Sequence, residues 1–149
     1  MCWTPHATVA TVVERDGRFL MIEEVSSGRV VLNQPAGHLE ENELFADAAL
    51  RETMEESGWE VELKYLVGMY AYKSPNSDIT YHRLCFAAEA VKHYPDNPLD
   101  DGIIRALWLT REELESEKDR LRSPTVLRCI DDYLAGKNYP MDFVFENLD

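Results

Sequence analysis

Between Gly37 and Trp59 the chain runs GHLEENELFADAALRETMEESGW, with six glutamates in a stretch whose period is helical. The spacing predicts a helix from about Leu44 to Ser57, with Gly58 as the left-handed residue that ends it. At about 100° per residue, Glu52, Glu55 and Glu56 fall within an arc of roughly 100°. Leu50 and Met54 lie on the other side and are expected to face the core. Phe45, Ala48 and Ala49 share the acidic side, where mostly small residues leave space beside the carboxylates. Like charges three and four residues apart cost about 0.2–0.5 kcal/mol per pair on an exposed helix. These also sit in the C-terminal half, where the helix dipole disfavours anions. A solvated acidic face is one reading. A divalent cation is the other, because hard ions take carboxylate and carbonyl oxygens and reverse the sign of the repulsion.

Strands flank this helix on both sides. Thr8 to Glu14 is β-branched and apolar, Asp16-Gly17 marks a tight turn, and Arg18 to Glu23 returns as its hairpin partner. Val30 to Leu32 reads as a short strand before NQPAG, where Pro35 and Gly37 are expected to break regularity. Glu60 to Tyr72 and Tyr81 to Val91 form two longer strands around the loop KSPNSD, and Ile103 to Leu109 follows HYPDNPLDDG. Thr110 with Glu113 makes a capping box, and Ser123-Pro124 opens a last helix that Gly136 closes. With 149 residues and 45% hydrophobic content, this is an α+β domain spanning 1–149, a mixed sheet with helices packed on it.

The formal charge of −13 argues against nucleic-acid backbone or anionic membrane as partner. Cys2, Cys85 and Cys129 lack ligand spacing, and the opening residues lack a basic segment followed by an apolar run. A cytoplasmic location is therefore expected. A monomer is the expected state, with an edge strand or the YPMDFVF tail left open as a route to a dimer.

Longer spacing separates the two readings of the acidic face. Gly37, Glu43, Arg51, Glu52, Glu55, Glu56 and Gly58 fit G-x5-E-x7-R-E-x-x-E-E-x-G, followed by apolar Trp59. Such a set of fixed positions arises by chance on the order of once in 10⁵ chains or fewer. The pattern resembles the Nudix box (37–59) of the Nudix hydrolases. One soft position departs, since Thr53 stands where an apolar residue is usual. The resemblance implies an α/β/α sandwich around a mixed curved β-sheet. It also implies divalent metal, Mg²⁺ with Mn²⁺ able to substitute, held by Glu52, Glu55, Glu56 and the Gly37 carbonyl. Arg51 and Glu43 are placed to pair and fix the loop against the helix. Glu55 and Glu56 are candidate bases within the motif; Asp100 and Asp101 are candidates outside it, or solvated loop residues.

The stretches WTPHATVA, LNQPAGHLE and LRSP are similar to those of the NudJ phosphatase group within that family. This implies release of inorganic phosphate from small-molecule pyrophosphates: thiamine pyrophosphate, hydroxymethylpyrimidine pyrophosphate, and nucleoside tri- and diphosphates. Tyr70 and Tyr72 share one strand face and can stack on a pyrimidine or simply pack. Lys73, Arg83 and Arg122 are candidates for phosphate contacts. His38 is a candidate for substrate or metal-bound water. Asn33 and Gln34 either orient substrate or satisfy backbone. Alternatives are a nucleoside triphosphate pyrophosphohydrolase releasing pyrophosphate, an RNA 5′-end hydrolase, an isomerase on the same scaffold, and a silent Nudix metabolite-sensing or partner-binding module.

Overall fold

In the computed structural model, residues 2–149 are described. Seven strands form one open, curved, mixed sheet: β1 (His6–Arg15), β2 (Arg18–Ser26), β3 (Arg29–Asn33), β4 (Ala36–His38), β5 (Trp59–Lys73), β6 (Thr80–His93) and β7 (Ile103–Leu109). The main path runs β3-β2-β1-β6-β5, with β4 added to β1 and β7 to β2. Among these strands β1 and β6 pair in parallel and the other pairs are antiparallel. Helix α1 (Phe45–Ser57) covers one face, and α2 (Arg111–Ser116) with α3 (Thr125–Leu134) serves the other. Among the described residues no helix is long and apolar enough to cross a membrane.

Local chemistry explains most boundaries. Asp16 and Gly17 both take positive φ, as the tight β1–β2 hairpin requires. Thr110 accepts the Glu113 amide and Glu113 returns the bond, completing the capping box. Gly58, at φ 75°, ends α1 and donates its N–H to the Met54 carbonyl. The segment NQPAG does not simply break regularity: its last residues open β4, because Ala36 and Gly37 align with Ala10 and Val9 of β1. The register then sets His38, Thr8, Arg83 and Tyr70 in one row across four strands.

The packing of α1 corrects an expectation. Leu50 is 38% exposed and Met54 only partly buried. The buried residues are Ala48, Ala49, Thr53 and Ser57. The acidic stripe itself turns toward the sheet, and small side chains let the helix approach closely enough for Glu52 and Glu56 to reach β4. Thr53 fits this face because Thr11 on β1 offers a hydroxyl at 2.9 Å, and Thr53 also donates to the Ala49 carbonyl.

The start of α1 has a partner from far along the chain. Leu44 offers no side-chain cap, and the Phe45 N–H instead donates to both carboxylate oxygens of Glu146 at 3.2 and 3.0 Å. An anion there also suits the helix dipole. The tail reaches this point by pairing Tyr139 with Leu66 of β5 and packing Met141 and Val144 against the core, while Phe143 and Phe145 stay exposed.

Replacing Thr53 with Val leaves the buried Thr11 hydroxyl without its 2.9 Å partner. We expect a loss of about 1–2 kcal/mol in urea denaturation. The double variant with Thr11→Val should recover part of that loss, since an unpartnered buried hydroxyl costs more than none.

Candidate active site

The site forms where α1, β4 and the loop before β7 meet. Arg51 organises one flank. Its guanidinium donates to Glu43 through Nε at 2.7 Å and Nη2 at 2.9 Å, to Glu52 at 2.7 Å, to Glu55 at 3.1 Å and to the His38 carbonyl at 3.1 Å. Glu43 closes the loop by accepting the Glu40 amide at 2.9 Å. These bonds hold the Glu43 carboxyl down at about 2, and the pairing raises Arg51 further above its ordinary value. The expected Arg51–Glu43 pair is thus present, and the guanidinium reaches three more carboxylates, Glu40, Glu52 and Glu55.

Glu52 packs against Gly37 so closely that a Cβ on Gly37 would collide with its carboxylate. Oxygens of Glu52, Glu55 and Asp100 lie within 4.8 Å of one another. Asp100 arrives through the backbone. The last carbonyls of a helix have no partner within it, and the Glu55 carbonyl accepts the Asp100 N–H at 3.0 Å. Asp101 lies outside this cluster and the cavity lining. Glu56 sits deeper, where one oxygen accepts the Ala36 N–H at 2.8 Å. Burial, then the charges of Glu24, Glu52 and Asp100, push its carboxyl up to about 9, against that bond. Burial likewise raises Glu52.

These residues fit a divalent cation. The donors are hard oxygens, the glycine leaves room that a side chain would fill, and the mutual repulsion of the carboxylates is what positive charge relieves.

Glu52, Glu56, Gly37 and His38 line a cavity of about 1140 Å³. Arg83, Arg122, Tyr70, Tyr72 and Asn33 also line it. Arg83 is buried, and among the described residues no carboxylate pairs with it. Nη1 donates to Gln34 at 2.9 Å and Nη2 to Asn33 at 3.2 Å. Among the described residues its Nε has no hydrogen-bond partner, which leaves that donor for an oxyanion. Gln34 does not line the cavity: it is buried and donates to the Val126 carbonyl at 2.6 Å, so it braces Arg83. Lys73 is exposed and off the cavity, on the opposite side of β5 from Tyr72. The Tyr70 hydroxyl donates to Asp132 at 2.7 Å, which fixes its ring at the cavity wall. The His38 ring lies 3.1 Å from a His6 nitrogen, and burial lowers its pKa.

Sequence reasoning missed Glu24. It lies on β2, where the register with β7 shifts between Glu23 and Glu24, and it lines the cavity paired to Arg122 at 2.7 Å. A glutamate in a strand with no motif around it carries no signal of this.

A family model described as NUDIX domain matches residues 4–128. Phosphatase NudJ of Escherichia coli strain K12 is 37% identical over 140 residues, covering 94% of this chain and 90% of that protein. A NUDIX hydrolase from Nitrosomonas europaea superposes with a TM-score of 0.95 at 40% identity, covering 97% and 99% of the two chains. A MutT NUDIX hydrolase from Burkholderia pseudomallei, at 19% identity, shares the fold with a TM-score of 0.71 over 87% of this chain and 98% of that one.

Because Glu43 is held at about 2 rather than the ordinary 4.5, its contribution to stability is present above 4.5 and is lost as pH falls toward 2. Acid melts of wild type and Glu43→Gln should therefore converge over that window, with wild type the more stable at neutral pH.

Proposed function

The chain belongs to the Nudix hydrolase family, and from that premise we propose that it is a Mg²⁺-dependent phosphatase of small pyrophosphorylated metabolites. Its substrates on this reading are thiamine pyrophosphate, hydroxymethylpyrimidine pyrophosphate and nucleoside tri- and diphosphates, with inorganic phosphate as product. The observation that carries the reading is the Glu52–Glu55–Asp100 cluster beside Gly37, whose Glu52 lines, with Glu56, a cavity that also holds a buried Arg83 with no carboxylate partner among the described residues. The similarity to a protein named phosphatase supports phosphate as product. The buried thiols of Cys85 and Cys129, not bridged to each other, suit a reducing cytoplasm.

Glu52, Glu55, Glu56, Asp100 and the Gly37 carbonyl would hold the metal. Bound there, a divalent ion neutralises phosphate charge and lowers the pKa of a water. Arg83 offers its unpaired Nε–H to a phosphate, and Arg122 approaches from the segment after α2. Tyr70 and Tyr72 flank the organic group. With one Glu56 oxygen engaged by Ala36, the other is free, and beside a bound cation the buried carboxyl returns to the carboxylate form that takes a proton from the attacking water. Arg51 and Glu43 hold the acidic helix face against the loop that carries His38.

Glu56→Gln should abolish Mg²⁺-dependent phosphate release with the circular dichroism spectrum unchanged; equal turnover would remove this residue from the mechanism. Gly37→Ala should weaken Mn²⁺ binding, read by electron paramagnetic resonance, by about tenfold or more. Assaying phosphate and pyrophosphate separately across the substrate set decides between this reading and pyrophosphate release.

A further inference from the structure

Three arginines line the cavity, Arg29, Arg83 and Arg122, and they differ in their partners; Arg29 donates to the Asp119 carbonyl at 3.1 Å. Arg83 is held by neutral amides. Arg122 already has an anion, because its Nη1 donates to Glu24 at 2.7 Å. The Glu24 side chain is only 13% exposed, while that of Arg122 is 38% exposed. The backbone at Arg122 does not need this bond to keep its place. Its amide donates to the Leu32 carbonyl at 2.8 Å, and Leu121 bridges to the same residue at the β3 edge. Glu24, in turn, lines the cavity from β2, where it pairs in regular register with Val31 of β3 while β7 accommodates an extra residue, Ile104, on the other side.

We propose that Glu24 is a specificity-determining counter-ion: phosphate binds at Arg122 by exchange with the Glu24 carboxylate rather than by simple addition. The idea rests on the hydrolase reading above. Exchange has a physical consequence. A preformed ion pair shields part of the cation's charge, so an incoming anion gains less than it would from a bare guanidinium. It also meets a resident negative charge as it arrives. The product phosphate is affected as much as substrate, and is held less tightly than a cavity with Arg83, Arg122 and a metal site would otherwise hold it. Glu24 thereby favours release.

The sign of this effect separates it from a bracing role. If Glu24 merely braced Arg122, removing its charge would loosen the guanidinium and weaken anion binding. As a counter-ion, its removal strengthens binding. The test is titration calorimetry of inorganic phosphate into Mg²⁺-loaded wild type, Glu24→Gln, Arg122→Ala and the double variant. Glu24→Ala serves as a second charge-removing variant, and melting curves confirm folding. We expect Glu24→Gln to bind phosphate about threefold to tenfold more tightly, allowing for the partial exposure of the pair. In the Arg122→Ala background the same change should have little effect. Unchanged or weaker phosphate binding in both Glu24 variants would overturn the inference, as would equal tightening with and without Arg122. Failure of the wild type to release phosphate from any diphosphate would instead count against the hydrolase reading itself.

Discussion

One guanidinium carries the strain of this architecture. Arg51 lies among Glu43, Glu52 and Glu55, with the His38 carbonyl on its remaining side, and it joins the loop after β4 to the helix that follows. Without a cation of its own on this flank, α1 would present a row of carboxylates that repel one another across successive turns. With Arg51 in place, the row is oriented, so that Glu52 meets Gly37 and Glu56 turns toward Ala36. Glycine at 37 and small residues along α1 are the steric side of the same requirement.

The cavity is polarised by its construction. Carboxylates enter from α1 and from β2; cations enter from β3, from β6 and from the segment after α2. A chain with net charge −13 can therefore present a local face suited to phosphate, provided positive charge is placed where the anion sits. Burial sharpens both walls. It pushes Glu56 up to about 9, and it leaves Arg83 with the amide oxygens of Asn33 and Gln34 and, at 3.8 Å, the Cys129 sulfur as acceptors. Each wall is thus poised for a group of opposite charge.

Much of this was legible in the residues. The helix and its end at Gly58, the Asp16-Gly17 hairpin, the Thr110–Glu113 capping box and the Arg51–Glu43 pair all follow from short-range chemistry at fixed spacing. Periodicity did less well on α1. The pattern puts Leu50 and Met54 opposite the acids, and the ordinary inference buries the apolar side. Here the buried side carries glutamates, because Ala48, Ala49 and Thr53 permit a close approach and the Ala36 amide receives Glu56. Gln34 and Arg83 could be nominated as site residues, but not distinguished as brace and binder.

By itself, then, the sequence determined the local elements and the acidic helix that makes phosphate chemistry available, since those depend on neighbours within a turn or a hairpin. Tertiary structure alone decided which distant groups join them. Asp100 reaches Glu55 through an unpartnered helix carbonyl, Glu146 caps α1 from the far end of the chain, and Glu24 enters the cavity at a shifted strand register. The physical reason is that each of these depends on backbone groups or registers whose partners lie tens of residues away, and no spacing along the chain encodes them.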